Sequence, residues 1–423
     1  MKVKQFVRGP RVLTLAAAAA MALVVGACGS SSSSTSSASS QTSAANAGAT
    51  STDAPSAASK SPYVIGSIVS QTGPFASSDA PGAEGIKAWA AYVNSHGGIN
   101  GHQVQLSVKD DQGNPAVALS EIKAFAAQSN LIAVVGSVSS EEGAWGPVAS
   151  AEKLPVVGDF PFTPVSYSAK YVYPQGTTFP STLYGQVYAA VKLAHNTRIG
   201  FYYCAEESAC ALSVPAVKAA AASLGGTVVN TQAVPATAPN YDSVCQAAKS
   251  AGVQSMVLAL GESTIVSVAQ SCASVAFTPN YSFQTTSLEP SEGSIAPLNN
   301  HSYGITETFP WVSSGTAAQQ AFQAGVKAAN VPASDYGAAL SLAWTGGALF
   351  QSAMQNVSGT ATRAAVASAV SSLPKGDTLG GLAPPLTYVA NAPTPQIKCF
   401  FVMKLSGGQW SAPYGATKTF CQP

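Results

Sequence analysis

The chain has 423 residues and a formal net charge of +1, and charged residues make up only 9% of it, far below the usual quarter. It carries no Lys/Arg cluster and no basic stripe, which argues against nucleic acid as a partner. A globular body of this length exceeds one ordinary core, so two lobes are expected.

The chain opens as an export signal. Lys2, Lys4, Arg8 and Arg11 form a basic start, and residues 12–25 are an apolar run rich in Ala, Leu and Val. The run is shorter than the roughly 20 apolar residues of a comfortable membrane-spanning helix. Residues 1–27 therefore read as a secretory signal peptide. The segment ends Val24-Val25-Gly26-Ala27-Cys28, which resembles a bacterial lipobox. That resemblance implies cleavage before Cys28, diacylglyceryl on its sulfur, and a protein held at the extracytoplasmic face of the cell membrane. Two or more acyl chains anchor stably where one does not. Loss of the four basic groups would leave the mature chain at −3. Residues 28–61 are mostly Ser, Thr and Ala and read as a flexible tether. No other segment is long and apolar enough to cross a membrane.

The body alternates strands with Ala-rich helices. Strands are expected over 63–69, 103–109, 131–135 and 154–157. The helices between them cover 81–95, a stretch opened by Asn114-Pro115 and running to about 128, and a stretch from about 140. Asn114 is a cap residue followed by Pro at the first helical position. After a Tyr/Pro-rich crossing the rhythm restarts. Helices at 182–194, 213–224, 241–251 and 264–275 alternate with strands at 198–203, 227–233, 255–260 and 281–284. A strand near 302–306, helices at 317–329, 336–355 and 360–372, and a strand at 397–405 complete the chain. Strands separated by helices of this length imply parallel sheets wound by right-handed crossovers.

Seven cysteines are present. With Cys28 assigned to the lipid, six remain, an even number in an exported chain, which favours disulfides. Fifteen connectivities are possible. Sequence proximity suggests Cys204–Cys210, Cys245–Cys272 and Cys399–Cys421. No C-x-x-C and no His pair at helical spacing occurs, so neither a metal nor a cofactor is expected.

Several motifs in order carry a family resemblance. Ile65-Gly66, Thr72-Gly73-Pro74, Gly82-Ala83-Glu84, the turn at 94–101, Asp110-Asp111 with Asn114-Pro115, and Val134 to Ser140 resemble the branched-chain amino-acid type of solute-binding protein. The likeness is strong over about 62–160 and collinear to about 310. It implies the periplasmic binding protein type I fold: two doubly wound, Rossmann-like α/β lobes joined by a multi-crossing hinge. The first lobe would hold 62–182 plus about 309–380, and the second 183–308 plus about 381–423. Ligand would bind between them at the carboxyl ends of the strands, and hinge closure would present the bound form to a permease and its ATPase. A monomer that captures a small solute for an ABC importer is expected.

Eight residues are candidate ligand contacts. Ser139 and Ser140 precede a helix; Ser139-x-x-Glu142 is a capping-box pattern, and a helix start also suits a ligand carboxylate. Phe160, Phe162 and Thr163 stand where the family's amino-acid binders grip ligand, and the two aromatic faces either line a pocket or belong to the core. Ser208 lies near the place of a family aromatic. Thr286 stands where family binders often use an acidic group, and Glu262 either substitutes for that group or sits exposed at a helix start. The loop at 76–80 lacks the family's aromatic, and Asp110-Asp111 reads as a solvated turn. These departures widen the solute to an amino acid, peptide, amide, aromatic acid or other small organic compound.

Two other functions fit parts of the pattern. An extracellular sensor could use the same fold through a partner receptor. A lipid-anchored hydrolase would need a nucleophile elbow, a zinc motif or a phosphate loop, and none is present. His96, His102, His195 and His301 are scattered, so no catalytic residue is assigned.

Overall fold

The computed structural model describes residues 60–423. The signal peptide, Cys28 and the tether up to residue 59 lie outside the described residues. The first sheet is parallel at every pairing. It contains β1 (Lys60–Val69), β2 (His102–Asp110), β3 (Leu131–Ser137), β4 (Val156–Asp159) and β5 (Val172–Tyr173), in the order β2-β1-β3-β4-β5. The second contains β6 (Arg198–Cys204), β7 (Thr227–Val234), β8 (Ser255–Ala259), β9 (Asn280–Gln284), β10 (Ser302–Thr306), β11 (Cys399–Ser406), β12 (Gln409–Ser411) and β13 (Phe420–Cys421). Its order is β12-β11-β10-β9-β8-β6-β7, with β13 beside β11. Strands β6 to β10 pair in parallel, and β11 joins antiparallel to β10. Both sheets reverse strand order once, between β1 and β3 and between β6 and β8. A doubly wound sheet opens a crevice at such a point.

The sequence explains these elements locally. All seven residues of β3, Leu-Ile-Ala-Val-Val-Gly-Ser, are buried, as expected of a central parallel strand covered on both faces. Asn114 caps the helix Pro115–Ala126 by accepting from Ala116 N at 2.9 Å and Val117 N at 3.3 Å. Gly225 ends the helix Val214–Leu224 in the left-handed region at φ 85°, where glycine pays no Cβ penalty. The helix Ala338–Met354 packs on the helix Pro81–Ser95 and across β3 and β4. It can do so because Gly158 and Gly346 touch backbone to backbone. A Cβ on Gly158, at φ +74°, would fall 2.2 Å from Gly346 Cα.

Three chain crossings join the lobes and are stitched side by side. Thr177 N donates to Glu307 O at 3.1 Å and Thr178 N to Ile397 O at 3.0 Å. Phe309 N donates to Leu382 O at 2.9 Å beside them. The bridges Cys204–Cys210, Cys245–Cys272 and Cys399–Cys421 are all formed, the pairing that sequence proximity suggested. Two features depart from expectation. The helix after the first crossing begins earlier, as Phe179–Tyr188, and its end widens into a π turn, Ala189–Leu193. The short strands β5, β12 and β13 carry too few residues to show a period in the sequence.

Candidate functional site

The strand ends of both sheets converge on a small cavity between the lobes. Its free volume is about 30 Å³. Its walls are apolar: Phe75, Phe160 and Phe162 from the first lobe face Ala259, Leu260 and the Cys204–Cys210 bridge from the second. Ser78, Asp79, Ser140, Gln284, Thr286 and Ser287 supply polar atoms. Phe160 and Phe162 stack at 5.4 Å, and Phe162 leans on Phe179 at 4.7 Å. The two phenylalanines are thus wall and core at once.

The loop after β1 is held from below. Asp110 accepts from Gln71 N at 2.9 Å, Thr72 N at 3.2 Å and Thr72 Oγ1 at 2.8 Å. Its partial burial works against ionisation, but these bonds and one from Gln112 N outweigh it and lower its pKa. So anchored, the loop delivers Phe75 and the short helix Ala76–Asp79 to the seam. There Ser78 Oγ accepts from Glu262 N at 2.9 Å, and Ser77 Oγ meets Ser263 Oγ at 3.3 Å. Both contacts cross between lobes.

The structure places the eight candidate residues in two groups. Ser140, Phe160, Phe162 and Thr286 line the cavity. Ser139, Thr163, Ser208 and Glu262 do not. Ser139 is fully buried; its hydroxyl donates to Asp111 and accepts from Glu141 N at 3.1 Å. Thr163 gives its N–H to Glu142. Ser208 is exposed at the start of a short helix, Ser208–Leu212. Glu262 is half-buried and faces an outer groove with Glu84, Glu289 and Asp335.

Two local readings are corrected. Asp111 is not solvated: it is fully buried and accepts from Ser139 and from Gly113 N. The capping box at Ser139-x-x-Glu142 does not form. The helix starts at Glu142, and the Glu142 carboxylate turns away to Thr163 N and Ser166 Oγ. The helix start is therefore crowded with the protein's own carboxyl groups, Asp111, Glu141, Glu142 and Asp159.

The electrostatics of the site are one-sided. Asp79 is buried, and its Oδ2 has no hydrogen-bond partner. Burial first, then the charges of Asp111 and Glu141, push its pKa well above the carboxylate range, while Thr286 and Ser140 within hydrogen-bonding reach work against the shift. Burial, with Glu207 and Asp111 adding, pushes Glu141 up to about 7. Behind them burial pushes Glu142 well above its usual range and Asp159 up to about 6. No Lys, Arg or His lines the cavity. The described residues form only two ion pairs, Lys87–Glu84 at 2.9 Å and Lys109–Glu121 at 3.4 Å, both at the surface.

Sequence reasoning missed Asp79, Phe75, Ser78 and Gln284. The available signal was the strand-end rule itself: each lies in a segment following a strand or in its last residue. Among the described residues no His, Cys, Asp or Glu group is arranged to hold a metal ion, and no helix is long and apolar enough to cross a membrane.

Comparison with known proteins agrees with this architecture. A family model described as periplasmic binding protein matches residues 62–409. No curated protein matches the sequence significantly. Among solved structures, a fatty acid ABC transporter substrate-binding protein from Thermomonospora curvata is similar at TM-score 0.73 and 18% identity, over 86% of this chain and 93% of that one. A branched-chain amino acid ABC transporter protein from Thermus thermophilus with bound valine is similar at TM-score 0.72 and 13% identity, over 86% and 96%. A solute-binding protein from R. palustris in complex with 4-hydroxybenzoate is similar at TM-score 0.70 and 17% identity, over 86% and 98%. At these identities the likeness is one of fold.

Proposed function

The chain belongs to the periplasmic binding protein family, and from that premise we propose that it is a lipid-anchored, extracytoplasmic solute-binding protein that captures a small organic solute for an ABC importer. An amino acid or a related compound is the starting solute class. The observation that carries this reading is the position of the cavity, lined from both lobes at the carboxyl ends of their strands. At the mouth the lobes are joined by Ser78–Glu262, Ser77–Ser263 and a bond from Ala338 N to Leu288 O at 3.0 Å, whereas the hinge is stitched by backbone bonds across three adjacent crossings. Such an arrangement can open at the mouth while the hinge stays intact. The moving bodies would be 62–182 with about 309–380, and 183–308 with about 381–423. In support, the helices Ala317–Ala328 and Ala338–Met354 pack on the helix Pro81–Ser95 of the first lobe.

Capture involves no reaction in this reading. The protein works as a monomer, and its partners are the solute and the permease and ATPase of the importer. Cys28 carries the lipid, and the tether that ends where β1 begins at Lys60 lets the body move above the bilayer. Thermal shift of the mature body against a library of small organic solutes at millimolar concentration tests capture. Saturable stabilisation is expected, since a ligand at a hundred times its Kd adds about 2.7 kcal/mol. A silent library would overturn it. Mass spectrometry of the membrane-extracted protein tests the anchor: a diacylated amino-terminal Cys28 is expected, and Cys28→Ala should release the protein from membranes.

A further inference from the structure

Solute capture alone does not account for an unpaired carboxyl group in the cavity wall. Ser78 accepts from Glu262 N, Ser287 Oγ donates to Leu260 O at 2.6 Å, and the Gln284 side chain accepts from Gln186 at 3.0 Å. Those polar lining residues already have protein partners. Asp79 lines the same cavity and is buried; its Oδ2 has no hydrogen-bond partner, although the Ser140 and Thr286 hydroxyls lie within reach of the carboxyl group. An ionised carboxylate left this way costs several kcal/mol unless a cation meets it.

We propose that the solute is an organic cation, an amine on a compact apolar body, with Asp79 as its counter-charge. This rests on reading the cavity as the solute site. Three further observations point the same way. First, the lining offers no cation to a ligand carboxylate, and the helix start that could hold one is occupied by Glu141 and Glu142. Second, Phe75, Phe160 and Phe162 supply aromatic faces, which attract cations and bury alkyl or aryl groups alike. Third, the outer groove at the same seam is lined by Glu84, Glu262, Glu289 and Asp335 without a basic residue, although Lys87 engages Glu84. Glu289 is buried there with both carboxylate oxygens unpartnered. Burial raises the pKa of Glu289 and Glu262, so the groove gains negative charge as pH rises, and a mouth of one sign steers the opposite charge inward.

The groups facing Asp79 are Asp111 after β2, Ser140 and Glu141 after β3, Thr286 after β9, and Glu307 at the hinge. All the ionisable ones are acidic. Asp79 should therefore be held protonated in the empty protein and give up its proton when an ammonium arrives, so amine affinity should rise with pH.

Isothermal titration calorimetry on the whole mature protein tests this with two matched sets: isoamylamine, isovalerate, isovaleramide and leucine; phenethylamine, phenylacetate, phenylacetamide and phenylalanine. An amine is expected to bind at least tenfold tighter than its amide, its acid shows no binding, and its affinity rises from pH 5 to pH 8. Asp79→Asn should cost the amine tenfold or more and spare the amide. The wild-type ranking and pH trend stand even where the variant fails to fold. If an acid, an amide or an amino acid binds as tightly as its amine, or if amine binding ignores Asp79→Asn, the cation assignment is overturned and solute capture stands. If no member of either set binds, the assignment is overturned too. Only a silent wider library would also overturn capture.

Discussion

The backbone N–H of Glu262 donates to Ser78 Oγ across the lobe seam at 2.9 Å. This bond joins the first residue of the helix Glu262–Ser274 to the short helix Ala76–Asp79 after β1, and on the proposed closure it breaks when the lobes open. Ser78→Ala should therefore weaken solute binding without unfolding either lobe. A typical net hydrogen bond contributes about 0.5–1.5 kcal/mol, so Kd should rise several-fold. The melting temperature without solute should stay close to that of the wild type. A variant that melts much earlier with unchanged Kd would place Ser78 in the fold and not in closure.

The buried carboxyl groups give the empty protein an inverted pH profile. Burial raises Asp159 to about 6 and Glu141 to about 7, and raises Glu142 as well. The folded state then holds more protons than the unfolded chain across the interval from about pH 4 to about pH 7. The stability these groups contribute is full below that interval and is lost as pH rises through it. Melting temperature without solute should be higher at pH 5 than at pH 8, and Asp159→Asn should flatten part of the fall. Stability that climbs over this range would contradict the assignment. The trend runs opposite to that expected for amine binding, so the two effects separate in one titration series.

The disulfides should divide between stability and binding. Cys245–Cys272 spans 27 residues and joins two helices of the second lobe, with both sulfurs buried. Replacing both with Ala should cost about 2–4 kcal/mol in denaturant unfolding. Cys204–Cys210 spans only 6 residues but forms part of the cavity wall. Its removal should change Kd more than the unfolding midpoint.

Gly158 and Gly346 make a sharper test of how the carboxyl-terminal helices return to the first lobe. Gly158→Ala places a methyl against the Gly346 backbone at a positive φ, and should cost about 1–3 kcal/mol or more. Gly143 is the control. It lies in the helix Glu142–Ala151 with open space around its Cβ direction, and Gly143→Ala should be neutral or stabilising by up to about 1 kcal/mol.

Most of the scaffold was legible because its signals are local. Asn114-Pro115 announced a helix start, and cysteine proximity the three bridges. The site was only half legible. Phe160, Phe162, Ser140 and Thr286 follow strands that the hydrophobic runs made visible. Ser139 and Glu142 had the right spacing for a capping box, but Asp111 and Thr163, distant in sequence, took their hydrogen bonds. Asp79 was invisible for a related reason. Its segment carries no periodic pattern, and its burial is imposed by Asp111, Glu141 and Thr286, which only the tertiary fold brings together.

The most direct test of capture by closure is the radius of gyration of the mature body from small-angle X-ray scattering. It should be measured alone and at saturation with the tightest-binding compound of the titration panel. The account predicts a decrease on saturation, with Ser78→Ala needing more compound to reach it. An unchanged radius at full saturation would contradict it.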